Sequence, residues 1–545
     1  MGTGHALTLS RRHLLGAGAA FALSGCRDGP PHAVEGGFVG PSVERGHRLR
    51  QQAVDTPRGR PRKVHTLIAG GGVAGLAAAR ALRLAGIDDF ALLELEETAG
   101  GNSRGSAVHG FKCPLGAHYL PLPGDDATEV QDLLEELGLR QRIAGRWQYD
   151  ERHLCHSPQE RLFYRGEWQE GLLPMHGVSV ATLREYRRFA SAVQTLQKAA
   201  RFTIPTSKAP LAPMLQALDA IVFESWLNEQ GLVDADLRWF LDYCCRDDFG
   251  AGIAQVSAWA GIHYFASRHG FSVPGDDSSH DAQHDGVLTW PQGNGWLTDR
   301  LAAPLQGRLH TGRVVQRIDA SGRSGVTVDA FNANTQSVER WHAAHCIVAL
   351  PLFIAARVVQ DPSAVLTAAA AQLHYAPWLV SNIHVDAALA DRPGAPPSWD
   401  NVIYGSSALG YVDAMHQSLR SVPGPTVLTH YHALLATEPD PATARRTLLE
   451  KPWSHWRDFV LTDLGVPHPD LHAKATRIDV TRWAHAMSTP VPGVRCSAAL
   501  AALQNPPAGT RLQFAHSDLS GYSIFEEAFA QGHRAGLAVA APSHT

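Results

Sequence analysis

The sequence has no excess of positive charge: 48 Lys and Arg stand against 52 Asp and Glu, a formal net charge of −4, and only 18% of its 545 residues are charged. No global field exists of the kind that draws in nucleic acid, so a nucleic-acid partner is set aside. Long apolar runs are missing too. Beyond the N-terminal segment no stretch approaches the roughly eighteen apolar residues that a membrane helix needs, so any membrane attachment must come from the N-terminus. Cys113, Cys155, Cys244, Cys245, Cys346 and Cys496 form no CxxC pair and no zinc-type spacing. They read as small buried apolar residues rather than ligands. Among the 29 histidines, His342 lies close to His345, and His430 and His432 would share one face of a strand. No carboxylate or cysteine completes a ligand set, so no metal site is assigned.

What is present begins at the N-terminus. Ser10-Arg11-Arg12-His13-Leu14-Leu15 places paired arginines before the short apolar stretch 16–23, the pattern of a twin-arginine export signal. Leu23-Ser24-Gly25-Cys26 resembles the lipobox of bacterial lipoproteins, in which the cysteine is acylated. The expectation is export to the periplasmic face and a lipid anchor on Cys26. Twin-arginine cargo travels folded, often around an inserted cofactor, so a tightly held cofactor is expected downstream. Residues 27–62, rich in Pro, Gly and Arg, read as a tether.

With 44% hydrophobic residues the chain buries a large core, and its length calls for two or more domains. Residues 64–69 read as a strand, 73–85 as a helix and 90–95 as a second strand, a β-α-β unit opening a doubly wound α/β sheet. Between strand and helix lies Gly70-Gly71-Gly72-Val73-Ala74-Gly75, a GxGxxG turn. Gly70 permits the turn, Gly72 lets backbone approach a pyrophosphate, and Gly75 lets helix and strand pack closely. The helix N-terminus offers free N–H groups to phosphate. Glu94, about twenty residues on, stands where a carboxylate binds ribose hydroxyls. The motif predicts dinucleotide binding.

The run Glu94-Leu95-Glu96-Glu97-Thr98-Ala99-Gly100-Gly101 resembles the flavin amine oxidase superfamily, where a ribose-binding acid precedes a paired-glycine turn over the pyrophosphate. That resemblance implies FAD, held non-covalently. An arginine usually follows the paired glycines in that family; here Asn102 stands there, with Arg104 two residues later as candidate replacement. Pro114-Leu115-Gly116-Ala117-His118-Tyr119 resembles the family's next segment near the flavin. Trp290 to Leu297 is similar to its later glycine-rich turn, Val315 to its adenine-contacting valine, and residues 345–351 to its return strand. Phe514-Ala515-His516-Ser517-Asp518 stands where the family has an FAG-acid segment, and Ile524 and Phe525 open the closing helix that faces the flavin. The implied architecture is a Rossmann-like FAD-binding domain in three parts (63–126, 286–360 and 486–545), interleaved with an α+β substrate domain (127–285 and 361–485), after a signal at 1–26. Residues 127–268 read as mainly helical, and 270–286 as a mobile loop.

No motif identifies a substrate, and no residue is singled out as catalytic. A loose alignment places Asn382 where many amine oxidases of the family keep a lysine. Candidate pocket residues are Tyr243, Asp247, Asp248, His263, Tyr264, Trp378, Trp399, Tyr404, Tyr411, Trp483 and His485. The expected function is hydride transfer from a small organic substrate, an amine among the possibilities, to flavin N5, with oxygen or a quinone as acceptor. A desaturase of an apolar isoprenoid or tetrapyrrole-like substrate and a catalytically silent flavin-binding scaffold are the alternatives.

Overall fold

The computed structural model describes residues 33–541 except 51–55, 156–158, 269, 277–285, 414–416, 419 and 508. The arginine pair, Cys26 and most of the loop at 270–286 lie outside the described residues. Composition assigns 27–62 to a tether, but from residue 35 the chain is built into the fold. β1 (Glu35–Val39) and α1 (Val43–His47) come first. β1 runs parallel to a strand near the C-terminus, with Glu35 opposite Arg477 and Val39 opposite Thr481. Gly36, at φ +141°, is forced by this pairing: an added Cβ would lie 1.9 Å from the carbonyl oxygen of Ile478. Two glycines in EGGFV hide the strand from sequence reading because they weaken strand propensity.

β2 (Arg62–Ala69), α2 (Val73–Leu84) and β3 (Phe90–Leu93) form the β-α-β unit, with β2 and β3 in parallel register. Thr66, Leu67, Ile68 and Ala69 are wholly buried, as a central strand covered on both faces must be. α3 (Thr128–Glu136) packs Val130, Leu133 and Leu134 into the apolar cluster that holds α2, so the boundary expected at residue 127 falls inside this core. Four strands interrupt the region read as helical: a short hairpin of Arg140–Ile143 and Arg146–Tyr149, then β4 (Glu160–Tyr164) and β5 (Glu167–Glu170). Their charged ends and brevity mask the alternation that marks a strand. α4 (Ala235–Phe249) follows, capped by the Asp234 carboxylate, which accepts from the N–H groups of Asp236 and Leu237, and closed by Gly250 in the left-handed conformation.

The other strands of the two large sheets are β6 (Leu309–His310), β7 (Arg313–Asp319), β8 (Val326–Asn332), β9 (Ser337–Val348), β10 (His374–Val385), β11 (Asp400–Ile403), β12 (Tyr411–Asp413), β13 (Thr426–Ala433), β14 (Ala475–Thr489) and β15 (Leu512–Phe514). The closing helix is α5 (Phe525–Ala540). Two large sheets result. One has the order β6-β3-β2-β9-β8-β7, with β15 also pairing β9; the other runs β1-β14-β10-β13-β12-β11-β4-β5. The fold is α/β with a Rossmann-like domain. Among the described residues no helix is long and apolar enough to cross a membrane.

α5 lies against α2 in parallel, glycine to backbone: a Cβ on Gly532 would stand 2.0 Å from the Ala74 carbonyl oxygen, and one on Gly536 2.7 Å from that of Ala78. Gly532 is the eighth residue of α5, while Ala74 is the second of α2. At 1.5 Å per residue, α5 therefore projects roughly 10 Å beyond the start of α2. Both N-termini open on one space between the sheets.

Candidate functional site

That space is a cavity of about 490 Å³, walled by the chain ends of both sheets. Its first wall comes from the β-α-β unit: Gly70, Gly72, Val73 and Ala74 line it, followed by Glu94 and Leu95. Gly72 has open space where a Cβ would be, so the backbone is bare toward the cavity. Gly71 donates its N–H to Glu94 Oε2 at 2.8 Å, and Glu96 donates its own to Oε1 at 2.8 Å. The Glu94 carboxylate thus holds the glycine turn in shape. Burial raises its pKa above the ordinary value, against those two hydrogen bonds and the nearby Arg104. α2 starts with Gly72 at its cap position and no capping side chain, leaving its first N–H groups free to face the cavity.

Gly101, Arg104, Gly116, His118 and Val315 line the cavity as well. Arg104 Nε donates to the Gly101 carbonyl at 3.0 Å, and its guanidinium lies 3.7 Å from Glu96 Oε2. Asn102, in the family's usual arginine position, instead ties this loop to β14 by donating from Nδ2 to the Ala486 carbonyl at 3.0 Å. Two of the residues expected to bind cofactor do not reach the cavity. Gly75 is needed for packing, since its Cβ would lie 1.9 Å from the Gly70 carbonyl oxygen. Gly100 is needed for the turn: at φ +125° it donates its N–H to the Gly71 carbonyl at 2.7 Å. His118 stacks on Tyr431 with centroids 4.4 Å apart, and burial depresses its pKa to about 3, keeping the ring neutral.

At the far end, Asp518, Ile524 and Phe525 complete the wall. Asp518 Oδ2 accepts from the Leu352 N–H at 2.8 Å and from the Tyr375 hydroxyl at 2.5 Å. Its Oδ1 is buried without a hydrogen-bond partner, 3.1 Å from His516 Nδ1. α5 begins after Ile524 without a capping side chain, so a second set of free N–H groups meets the cavity.

The second sheet supplies Tyr375, Trp378 and Val380 from β10, Tyr431 from β13, and Trp483 and His485 to Ser488 from β14. Asp247 and Asp248, at the end of α4, face the same space. Burial raises Asp247 to about 7, aided by the charge of Asp248, and raises Asp248 to about 6 against the pull of Arg268. Arg268 sits 3.5 Å from Glu526. Among the described residues Asp247 forms no ion pair; the charge of the neighbouring Arg246 and a hydrogen bond from Tyr119 favour its ionised form.

The other sequence candidates lie elsewhere. Tyr404 donates to Asp236, Tyr411 bonds His468, Trp399 and Tyr243 pack in the core, and Tyr264 is half-buried against that core. His263 bonds the Thr203 carbonyl. Asn382 does not stand in the cavity: its amide donates to the Pro114 carbonyl and accepts from Thr429. The residues of β10 that reach the cavity are Tyr375, Trp378 and Val380, and no lysine lies in the described wall. His430 pairs with Asp463 at 3.0 Å, while His432 contacts the Ser407 carbonyl at 3.2 Å. Among the described residues no cluster of three metal-ligating side chains forms. Sequence reading missed Trp378's neighbour Val380, Tyr431, and Pro41, Gly46 and Leu49, which carry no motif.

A glycine-rich turn at the head of a parallel sheet, a carboxylate on the next strand and two bare helix N-termini on one cavity define a dinucleotide-dependent oxidoreductase. The chain belongs to the flavin-containing amine oxidoreductase family, whose sequence profile matches residues 73–539. It is an enzyme with FAD as cofactor. A solved variant of putrescine oxidase has the same fold, with a TM-score of 0.64 at 18% identity over 88% of this chain and 99% of that one. Cyclohexylamine oxidase from Brevibacterium oxydans is similar, with a TM-score of 0.63 at 18% identity over 88% and 98%. A conjugated-linoleic-acid-producing fatty acid isomerase from P. acnes shares the fold more distantly, with a TM-score of 0.59 at 15% identity over 86% and 97%. No curated protein sequence matches.

The wall fits FAD on its own chemistry. Gly72 leaves bare backbone for a pyrophosphate, Glu94 offers acceptors for ribose hydroxyls, and α2 and α5 turn uncapped N-termini toward the same space.

Proposed function

We propose that the enzyme oxidises a small cationic amine, the finer reading within its FAD-dependent oxidoreductase activity. The observation that carries it is Asp247: a carboxylate in the cavity wall whose ionisation burial and the neighbouring Asp248 oppose, and which forms no ion pair among the described residues because the nearby Arg246 is paired with Asp242. An ammonium group would supply the missing charge. Bound FAD supplies the hydride acceptor. The chain's part is to orient and to exclude water. The glycine turn and α2 hold the phosphates, Glu94 fixes the ribose, and the free N–H groups of α5 stabilise negative charge opposite them. Trp378, Tyr431 and Trp483 form an aromatic wall that favours a cation or an apolar chain over bulk water. Asp247 and Asp248 position the charged end of the substrate away from solvent.

Anaerobic addition of diamines, monoamines and apolar polycycles, followed by flavin bleaching, tests this reading. Bleaching by amines, with loss of affinity in Asp247→Asn, is expected; bleaching only by apolar polycycles would replace it with the desaturase reading. The export reading enters the same proposal. The paired arginines and the Cys26 lipobox support a location on the periplasmic face of a bacterial membrane, where oxygen or a membrane quinone would accept the electrons.

A further inference from the structure

Residues 35–50 precede the family match, which begins at residue 73, yet they cross from one sheet to the other over the nucleotide end of the cavity. At one end β1 completes the edge of the substrate-side sheet on β14, and Phe38 packs under the Arg482 guanidinium at 3.7 Å. At the other end the segment fastens to the dinucleotide-side sheet, directly behind Glu94. Ser42 donates its N–H to Glu96 Oε1 at 2.8 Å while its hydroxyl caps α1. Arg45 donates to the Leu95 carbonyl at 3.1 Å and pairs with Glu97. The Arg48 guanidinium lies 3.5 Å over the Phe331 ring, and Arg357 donates to the Leu49 carbonyl. Between these moorings Pro41, Gly46 and Leu49 form part of the cavity wall itself.

We propose that residues 35–50 are a cofactor-retaining strap, a part of the FAD site that lies outside the family's shared sequence and that sets how fast FAD leaves. The polar contacts fall on Leu95, Glu96 and Glu97, the residues that continue the ribose-binding turn, so docking of the strap and order of that turn are coupled. None of the residues of α1 is buried, and the contacts from Ser42 and Arg45 to the ribose-binding turn are polar, so that end of the strap can lift while β1 stays paired to β14. The inference rests on the FAD reading of the cavity.

Two variants of the full chain test it: an Arg45→Glu, Arg48→Glu double substitution, which puts a like charge beside Glu97 and takes the cation off the Phe331 ring, and a deletion of residues 35–50. Each is purified with flavin, diluted into flavin-free buffer containing an apoflavodoxin trap, and followed by flavin fluorescence and by far-UV circular dichroism. The expected result is at least a tenfold faster FAD release from the double variant with helix and sheet content unchanged, and faster release again from the deletion if it folds. Release at the wild-type rate from the folded double variant overturns the proposal, as does release in either variant that only tracks unfolding. A wild-type protein that purifies without stoichiometric flavin refutes the cofactor reading instead, a separate outcome.

Discussion

Gly72 and Glu94 stand side by side in the cavity wall, but they fail differently when changed. Gly72→Val keeps a backbone conformation open to any residue and fills the space the pyrophosphate needs, so flavin per polypeptide should fall to near zero in the purified protein. Glu94→Ala removes charge-assisted bonds worth roughly 1.5–3 kcal/mol each. It also frees the Gly71 and Glu96 N–H groups that the carboxylate now ties. FAD affinity should fall by about ten- to a hundredfold with the fold retained, and titration of apoprotein with FAD measures it. Asp247 carries a pH prediction. Its pKa in the folded chain is raised to about 7 by burial, so the native state binds a proton that the unfolded state releases between about pH 4 and 7. Its contribution therefore lowers stability as pH rises through that window. Cation binding needs the ionised form and expels the proton. Amine affinity should strengthen toward about tenfold per pH unit between pH 5 and 6 and level off above about 7. Isothermal titration in buffers of different ionisation enthalpy should report one proton released, and Asp247→Asn should flatten both.

The β-α-β unit was legible because its strand, glycine turn, helix and acid lie within one short stretch whose hydrogen bonds are mostly local. The cavity's second wall was legible only in part: Trp378, Trp483 and His485 were singled out, while Tyr375, Val380 and Tyr431 were not. Trp378, Tyr431 and Trp483 meet through the pairing of β10 with β13 and β14, a register no local pattern encodes. Asn382 shows the cost: a loose alignment, made without the strand's neighbours, set it at the family's lysine position, while in the fold its amide is tied to Pro114 and Thr429 outside the cavity. β1 was hidden by glycines that its partner strand requires. The packing of α5 on α2 was hidden in the same way, since Gly532 and Gly536 have a role only once Ala74 and Ala78 are opposite them. Gly532→Leu should push the helices apart at an overpacking cost of about 1–3 kcal/mol. A lower thermal midpoint together with weakened flavin binding is expected. Gly536→Ala, against a softer contact, should show less of both; equal effects would mean that the two helices can slide.

Across the molecule, Cys113, Cys155 and the other described cysteines stay out of the cavity wall, so FAD should be held without a covalent bond. Acid precipitation should leave yellow supernatant and a colourless pellet. Cys26→Ala should release the protein from membranes into the soluble fraction, and a variant that still sediments after high-salt washing would refute the lipid anchor. The early start of β1 then acquires a geographical meaning. Only eight residues, 27–34, separate Cys26 from Glu35, and at about 3.5 Å each they span roughly 30 Å at most. An acylated Cys26 would give the enzyme a short berth instead of a long leash. Its sheet edge would patrol a thin layer of water against the bilayer, where molecules dissolved in or adsorbed to lipid are met at far higher effective concentration than those in the open compartment.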